Sequence, residues 1–222
     1  MNNLQMPDPL TLIVLASVLA LIPFLAVMVT SYVKLVVVLS LVRNALGVQQ
    51  IPPNMVLNGI AVILTIYIMA PIGQQTFANL EKEDLKNLSV ESIKGIMDRS
   101  STPIRKFLAY HTADREKAFF LDTARRLWGD KAQVKIDKDD FFVLIPAFTV
   151  SELTAAFQIG FLLYLPFIAI DLIVSNILLA MGMMMVSPMT ISLPFKLLLF
   201  VLVDGWARLI HGLVITYAMP GG

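Results

Sequence analysis

Eight charged side chains stand apart from the rest of this sequence: Asp8, Lys34, Arg43, Glu152, Asp171, Lys196, Asp204 and Arg208. No other Asp, Glu, Lys or Arg lies outside positions 79–140, and most of the eight fall within long apolar runs. A charge in such surroundings is costly unless paired, so each is a candidate for an ion pair, a lumen-facing group or a contact between subunits. Asp204 and Arg208 have i,i+4 spacing, which allows pairing on one helix face. Asp171 follows Pro166 by five residues. It can face a lumen, pair with Lys34 or Arg208, or bond to a neighbouring subunit. Glu152 heads the stretch SELTAAFQIGF, where a carboxylate can cap a helix N-terminus or form a salt bridge between subunits.

Residues able to make and break bonds are missing from this pattern. The sequence has no phosphate-binding loop, no HExxH and no GxSxG. Its two histidines, His111 and His211, lie in different regions, and two imidazoles do not define a metal site. There is no cysteine, which excludes disulfides, thiol catalysis and cysteine-held metals. A net charge of +1 carries no basic face of the kind nucleic-acid binders show. The expectation is a non-enzyme without cofactor, metal or nucleic-acid partner.

The most unusual local feature is Met181-Gly182-Met183-Met184-Met185, with Met189 close behind. Unbranched thioether side chains either fill an irregular core or seal a constriction that must repack when something passes. Gly182 and Ser187-Pro188 predict a bend here, which favours a loop.

The elements that must position these residues are helical. Hydrophobic residues make up 57% of the 222 and charged residues only 15%, with a mean hydropathy of +0.77. A soluble domain is nearer half apolar and a quarter charged. Lipid or other subunits must therefore cover the excess. Positions 79–140 hold 25 of the 33 charges, so two apolar regions flank one polar insert. The predicted architecture is all-α: a first apolar helical hairpin over 1–78, a soluble helical insert over 79–140, and a second apolar hairpin over 141–222.

Four membrane-type segments are predicted. Leu10–Val29 is long enough for a bilayer of about 30 Å. Continued to Val42 as one helix it would reach roughly 50 Å, so Pro23 is expected to kink it or part of it to leave the membrane plane. Gly47 and Pro52-Pro53 mark a turn before Met55–Ala78, which Pro71 should kink or end. Phe141–Val186 is expected to be divided by Pro146 and Pro166, and Phe195–Ala218 completes the set. In the insert, Pro103–Trp128 carries helical spacing, and Gly129 to Asp140 reads as a loop. Lys34, Arg43 and Lys196 flank the hairpin turns, so the positive-inside rule places both turns toward the cytoplasm and the insert and termini on the opposite side.

Two long strings resemble the FliP/SctR family of the bacterial type III export apparatus: RNALGVQQIPPNMVLNGIAVILT (Arg43–Thr65) and the run from Gln158 to Trp206, QIGFLLYLPFIAIDLIVSNILLAMGMMMVSPMTISLPFKLLLFVLVDGW. PIRKF around Arg105 and the segment around Glu152 also match. The resemblance implies a homo-oligomer of five copies, joined by FliQ/SctS-type and FliR/SctT-type subunits and a FlhB/SctU-type switch protein. Together they would form a helical, conical export gate at the inner membrane, projecting to periplasmic height, with residues 79–140 periplasmic. Apolar helices would then be covered by sister subunits as well as lipid. Met183, Met184 and Met185 correspond to the family's gasket around a closed channel for unfolded secreted proteins. A pair between Glu152 and Arg105 of the adjacent copy is also expected. Asn44 and the short N-terminus favour the virulence injectisome over the flagellum. The alternative from composition alone is a small-solute or ion transporter. That alternative leaves the charged insert unexplained and shows no paired repeat.

Overall fold

A computed structural model describes residues 9–48, 50–81, 95–96, 98–128 and 136–219. Among them there are helices and turns and no strand. Helix α1 covers Pro9–Met28, α2 Tyr32–Ala45 and α3 Asn54–Glu81. Two shorter helices follow, α4 (Thr102–His111) and α5 (Asp114–Trp128), and then the 40-residue α6 (Phe141–Ala180). Helices α7 (Pro188–Leu202) and α8 (Gly205–Ile215) complete the chain.

The run from Leu10 to Val42 is not one helix. It breaks at Val29–Ser31, so α1 and α2 are separate, and Pro23 lies inside α1 without ending it. Arg43 closes the next turn by donating from Nη1 to the Pro52 carbonyl at 3.2 Å and to Asn54 Oδ1. These bonds hold the end of α2 against the start of α3.

Prolines divide the apolar segments less than expected. Pro71 sits within α3, which continues to Glu81, and both Pro146 and Pro166 lie inside α6. A proline removes one backbone bond and crowds the preceding turn, which kinks a helix without having to end it. Helix α6 is the scaffold: α2, α4, α5 and α7 all pack on it. At about 1.5 Å per residue it is some 60 Å long.

The α2–α6 crossing is close because of Gly160. A Cβ there would stand 2.3 Å from Leu41 Cδ1. Around this crossing, Leu35, Val38, Leu39, Val42, Leu57, Ala61 and Ala156 form one buried core. A second core joins Ile72 of α3, Phe107 and Leu108 of α4, Leu144 and Phe148 of α6, and Tyr217. The charged middle of the sequence thus contributes α4 to a core it shares with the apolar helices.

Helices α3 and α6 are long and apolar enough to cross a membrane, and α7 with α8 form a third candidate bent by 59°. Both long helices keep large side chains outside the core. On α3, Ile63, Ile66, Tyr67 and Phe77 are exposed, as are Phe157, Phe161, Leu162, Leu172 and Ile173 on α6. The expected loop from Gly129 lies largely outside the described residues; Asp137–Asp140 form the turn leading into α6.

Candidate functional site: buried charges and a methionine-rich turn

Four of the isolated charges form two internal ion pairs. In the first, Lys34 of α2 donates from Nζ to Glu152 Oε1 of α6 at 3.1 Å. Both residues are less than 5% exposed. Tyr217 donates its hydroxyl to the other carboxylate oxygen, Oε2, and its ring lies 3.9 Å from the Lys34 ammonium. The arrangement follows from charge chemistry. A carboxylate and an ammonium withdrawn from water must satisfy each other and their remaining hydrogen-bonding capacity.

Glu152 therefore caps no helix; it lies inside α6, well past its first turn. Its carboxylate is shared within the chain by Lys34 and Tyr217, and the expected pair with Arg105 is one between adjacent copies. Within this chain Arg105 approaches Asp98 at 3.5 Å and lies over the Phe141 ring. Helical periodicity alone could not reveal that Lys34 and Glu152 meet, because they belong to helices far apart in sequence.

His111, at the end of α4, abuts this cluster. Its ring is 4.7 Å from Phe107 and 5.1 Å from Tyr217. Burial and the nearby Lys34 cation push its pKa down to about 4, so the imidazole is neutral at physiological pH. A polar cleft of about 540 Å³ opens here, lined by Lys34, His111, Arg115, Glu116 and Glu152 among others.

The second pair joins Asp171 of α6 to Lys196 of α7, Oδ2 to Nζ, at 2.6 Å. Ser192 donates to Asp171 Oδ1 at 2.6 Å, and Lys196 also donates to the Ala45 carbonyl at 3.2 Å. Asp171 thus pairs with neither Lys34 nor Arg208. The partner is Lys196, which sequence reading placed only at the hairpin turn. The contact with Ala45 places a cation at the C-terminus of α2, where unsatisfied carbonyls favour one.

Between the legs joined by that pair lies the methionine-rich turn, residues 181–187. Gly182 takes φ +72°, a left-handed conformation that glycine adopts without penalty. Met184 is 82% exposed and Met185 99%. These side chains are presented, not packed.

Asp204 and Arg208 make no ion pair with each other. Asp204 precedes α8 in a left-handed conformation at the bend, outside the helix that carries Arg208. Gly205 is required beside it, since a Cβ there would stand 2.3 Å from the Phe200 ring. Among the described residues no group of three or more His, Cys, Asp or Glu could hold a metal ion.

The comparisons with known proteins point one way. The FliP family model matches residues 15–213. The chain is 57% identical over 214 residues to Yop proteins translocation protein R of Yersinia pestis, covering 96% of this chain and 99% of that protein. It is 52% identical over 209 residues to hypersensitivity response secretion protein HrcR of Ralstonia nicotianae, covering 93% and 96%. With virulence protein YscR of Salmonella typhimurium the identity is 45% over 216 residues, covering 97% and 100%. Near-complete coverage at such identity, on an all-helical fold with apolar membrane-capable helices, shows that the chain belongs to the FliP family.

Proposed function

We propose that this chain is a structural subunit of the bacterial type III secretion export apparatus, of the virulence type, and that it lines the channel through which unfolded proteins leave the cell. It is not an enzyme. Family membership and relatives named for translocation, secretion and virulence support the first part. The channel role rests on one observation. Met183, Met184 and Met185 stand exposed at the tip of a hairpin whose legs are tied by a partly buried ion pair, Asp171 with Lys196. A rigid stem carrying flexible thioethers suits a seal that must close on nothing and yield to a polypeptide.

In this reading five copies, with FliQ/SctS-type and FliR/SctT-type subunits and a FlhB/SctU-type switch protein, form a conical gate around an axial path. The gate sits at the inner membrane and reaches periplasmic height, with residues 79–140 in the periplasm. The exposed apolar faces of α3 and α6 are covered by sister subunits and by lipid. Rings of Met183–Met185 close the path to ions and small solutes. The energy for export comes from elsewhere, since the sequence carries no nucleotide-binding motif.

A small-solute or ion transporter would need ionisable groups free to bind cargo within the membrane. Asp171 and Glu152 are already neutralised by Lys196 and Lys34, which weighs against that role. The decisive experiment measures ion conductance of the assembled, purified complex in planar bilayers. Replacing Met183–Met185 by glycine should raise resting leakage. Unchanged conductance, with assembly intact, would leave the methionines as packing and overturn the seal.

A further inference from the structure

The methionine-rich turn concentrates the oxidisable side chains of this protein at its most exposed point. Five of the twelve methionines fall within residues 181–189, and there is no cysteine to consume an oxidant first. Met185 and Met184 are the two most exposed large apolar side chains among the described residues, with Met55 next at 80%. Met183 is 44% exposed. The residue choice is local. Along the legs of the hairpin the exposed large apolar side chains are leucine, isoleucine, valine and phenylalanine, and methionine takes their place only at and beside the turn. Any of those hydrocarbons would repel water, but none carries a sulfur lone pair.

We propose that Met184 and Met185 are an oxidation site, and that their conversion to sulfoxide by a hydroperoxide opens the seal to ions. The inference rests on the channel reading above and deepens it by naming a chemistry that regulates the same turn. A sulfur lone pair attacks the terminal oxygen of the hydroperoxide, and the O–O bond breaks. The departing oxygen takes the proton that the transferred oxygen sheds and leaves as water or an alcohol. The thioether gives up two electrons and the peroxide gains them, and no bond of the protein is broken. Attack needs contact between sulfur and dissolved peroxide, so exposure sets the order, with Met185 and Met184 ahead of Met183.

The consequence follows from hydration. A hydrophobic constriction blocks ions because water does not wet it. Oxidation turns a flexible apolar side chain into a polar, chiral one, and the new oxygen accepts hydrogen bonds from water. Every copy presents the same two sulfurs, so the change repeats around the path. It is also reversible, since methionine sulfoxide reductases act on both sulfoxide epimers.

The test treats the assembled, purified complex with hydrogen peroxide. Peptide mass measurement locates the sulfoxides, native mass measurement follows assembly, and planar bilayers report resting conductance. The parent should gain oxygen at Met184 and Met185 and leak severalfold more with assembly intact. Reduction by the two sulfoxide reductases should restore the seal. A variant carrying Met183→Leu, Met184→Leu and Met185→Leu nearly conserves volume and should stay tight under the same treatment. Met55→Leu removes a similarly exposed methionine at the start of α3 and should respond as the parent does.

Sulfoxide at Met184 and Met185 with unchanged conductance overturns the inference. So does a leak that appears equally in the leucine variant or persists after reduction. Oxidation of Met55 without oxidation of the turn overturns it as well. In each case the channel reading stands if replacing Met183–Met185 by glycine raises leakage; if neither glycine nor oxidation raises it, both fall.

Discussion

Lys34 and Glu152 stand 118 positions apart and meet at 3.1 Å in the interior, beneath the ring and hydroxyl of Tyr217. One ion pair therefore ties α2, α6 and the chain's C-terminal segment together. A buried pair of this kind stabilises little compared with apolar packing, but removing one member strands the other in a medium that cannot solvate it. Glu152→Gln should cost about 3–5 kcal/mol. Thermal unfolding of the purified protein in detergent would measure it. The paired change Lys34→Met with Glu152→Leu should recover most of the loss, and a double variant no more stable than the single one would contradict this account.

The α2–α6 crossing gives a steric prediction. Gly160→Ala inserts a methyl 2.3 Å from Leu41 Cδ1, and overpacking of this kind typically costs about 1–3 kcal/mol. Leu41→Ala in the same chain should return part of that stability by opening the space. A Gly160→Ala protein as stable as the parent would show that the helices can separate freely.

At the foot of the methionine-rich turn, Lys196→Met should leave Asp171 with a single strong partner, Ser192, and release the Ala45 carbonyl. The expected outcome is a looser hairpin: faster hydrogen exchange across residues 178–192 and increased protease cleavage in the turn. Ser192→Ala removes one bond to Asp171 and should produce the same change more weakly, by about 1 kcal/mol. Exchange rates identical to the parent in both variants would show that the pair does not brace the turn.

His111 sets a pH dependence whose sign is fixed. Its folded pKa lies near 4 because of burial and the Lys34 charge, below the 6.5 of an unperturbed imidazole. The unfolded chain therefore takes up the proton first as pH falls. The stability that depends on neutral His111 is complete above about pH 6.5 and declines as pH drops toward 4. Comparing denaturant midpoints of the parent and His111→Phe at several pH values would isolate this contribution. The parent should lose more stability than the variant between pH 7 and pH 4.5, and parallel losses would refute the assignment.

Much of this protein is legible in its sequence. Low charge and a polar insert between apolar runs dictate helices that need lipid or subunits around them, because irregular backbone cannot be left unsatisfied in an apolar medium. Gly47 with Pro52-Pro53, and Gly182 with Ser187-Pro188, mark the two tight turns through backbone geometry that acts locally. The methionine-rich string stands out by composition alone, and the two long motifs carry family membership.

Tertiary structure decided what local rules could not. Proline at 71, 146 and 166 reads as a break, yet packing against neighbouring helices carries α3 and α6 through. The partners of the isolated charges within the chain escape a sequence reading for a related reason. Spacing along one helix reveals neighbours three or four residues away, which made Asp204 and Arg208 look like a pair. Whether two side chains from distant segments meet depends on how each helix is rotated about its axis and how closely the helices approach. Lys34 reaches Glu152, and Lys196 reaches Asp171, only because glycine at 160 lets α2 lie against α6 and the 181–187 turn folds α7 back along it.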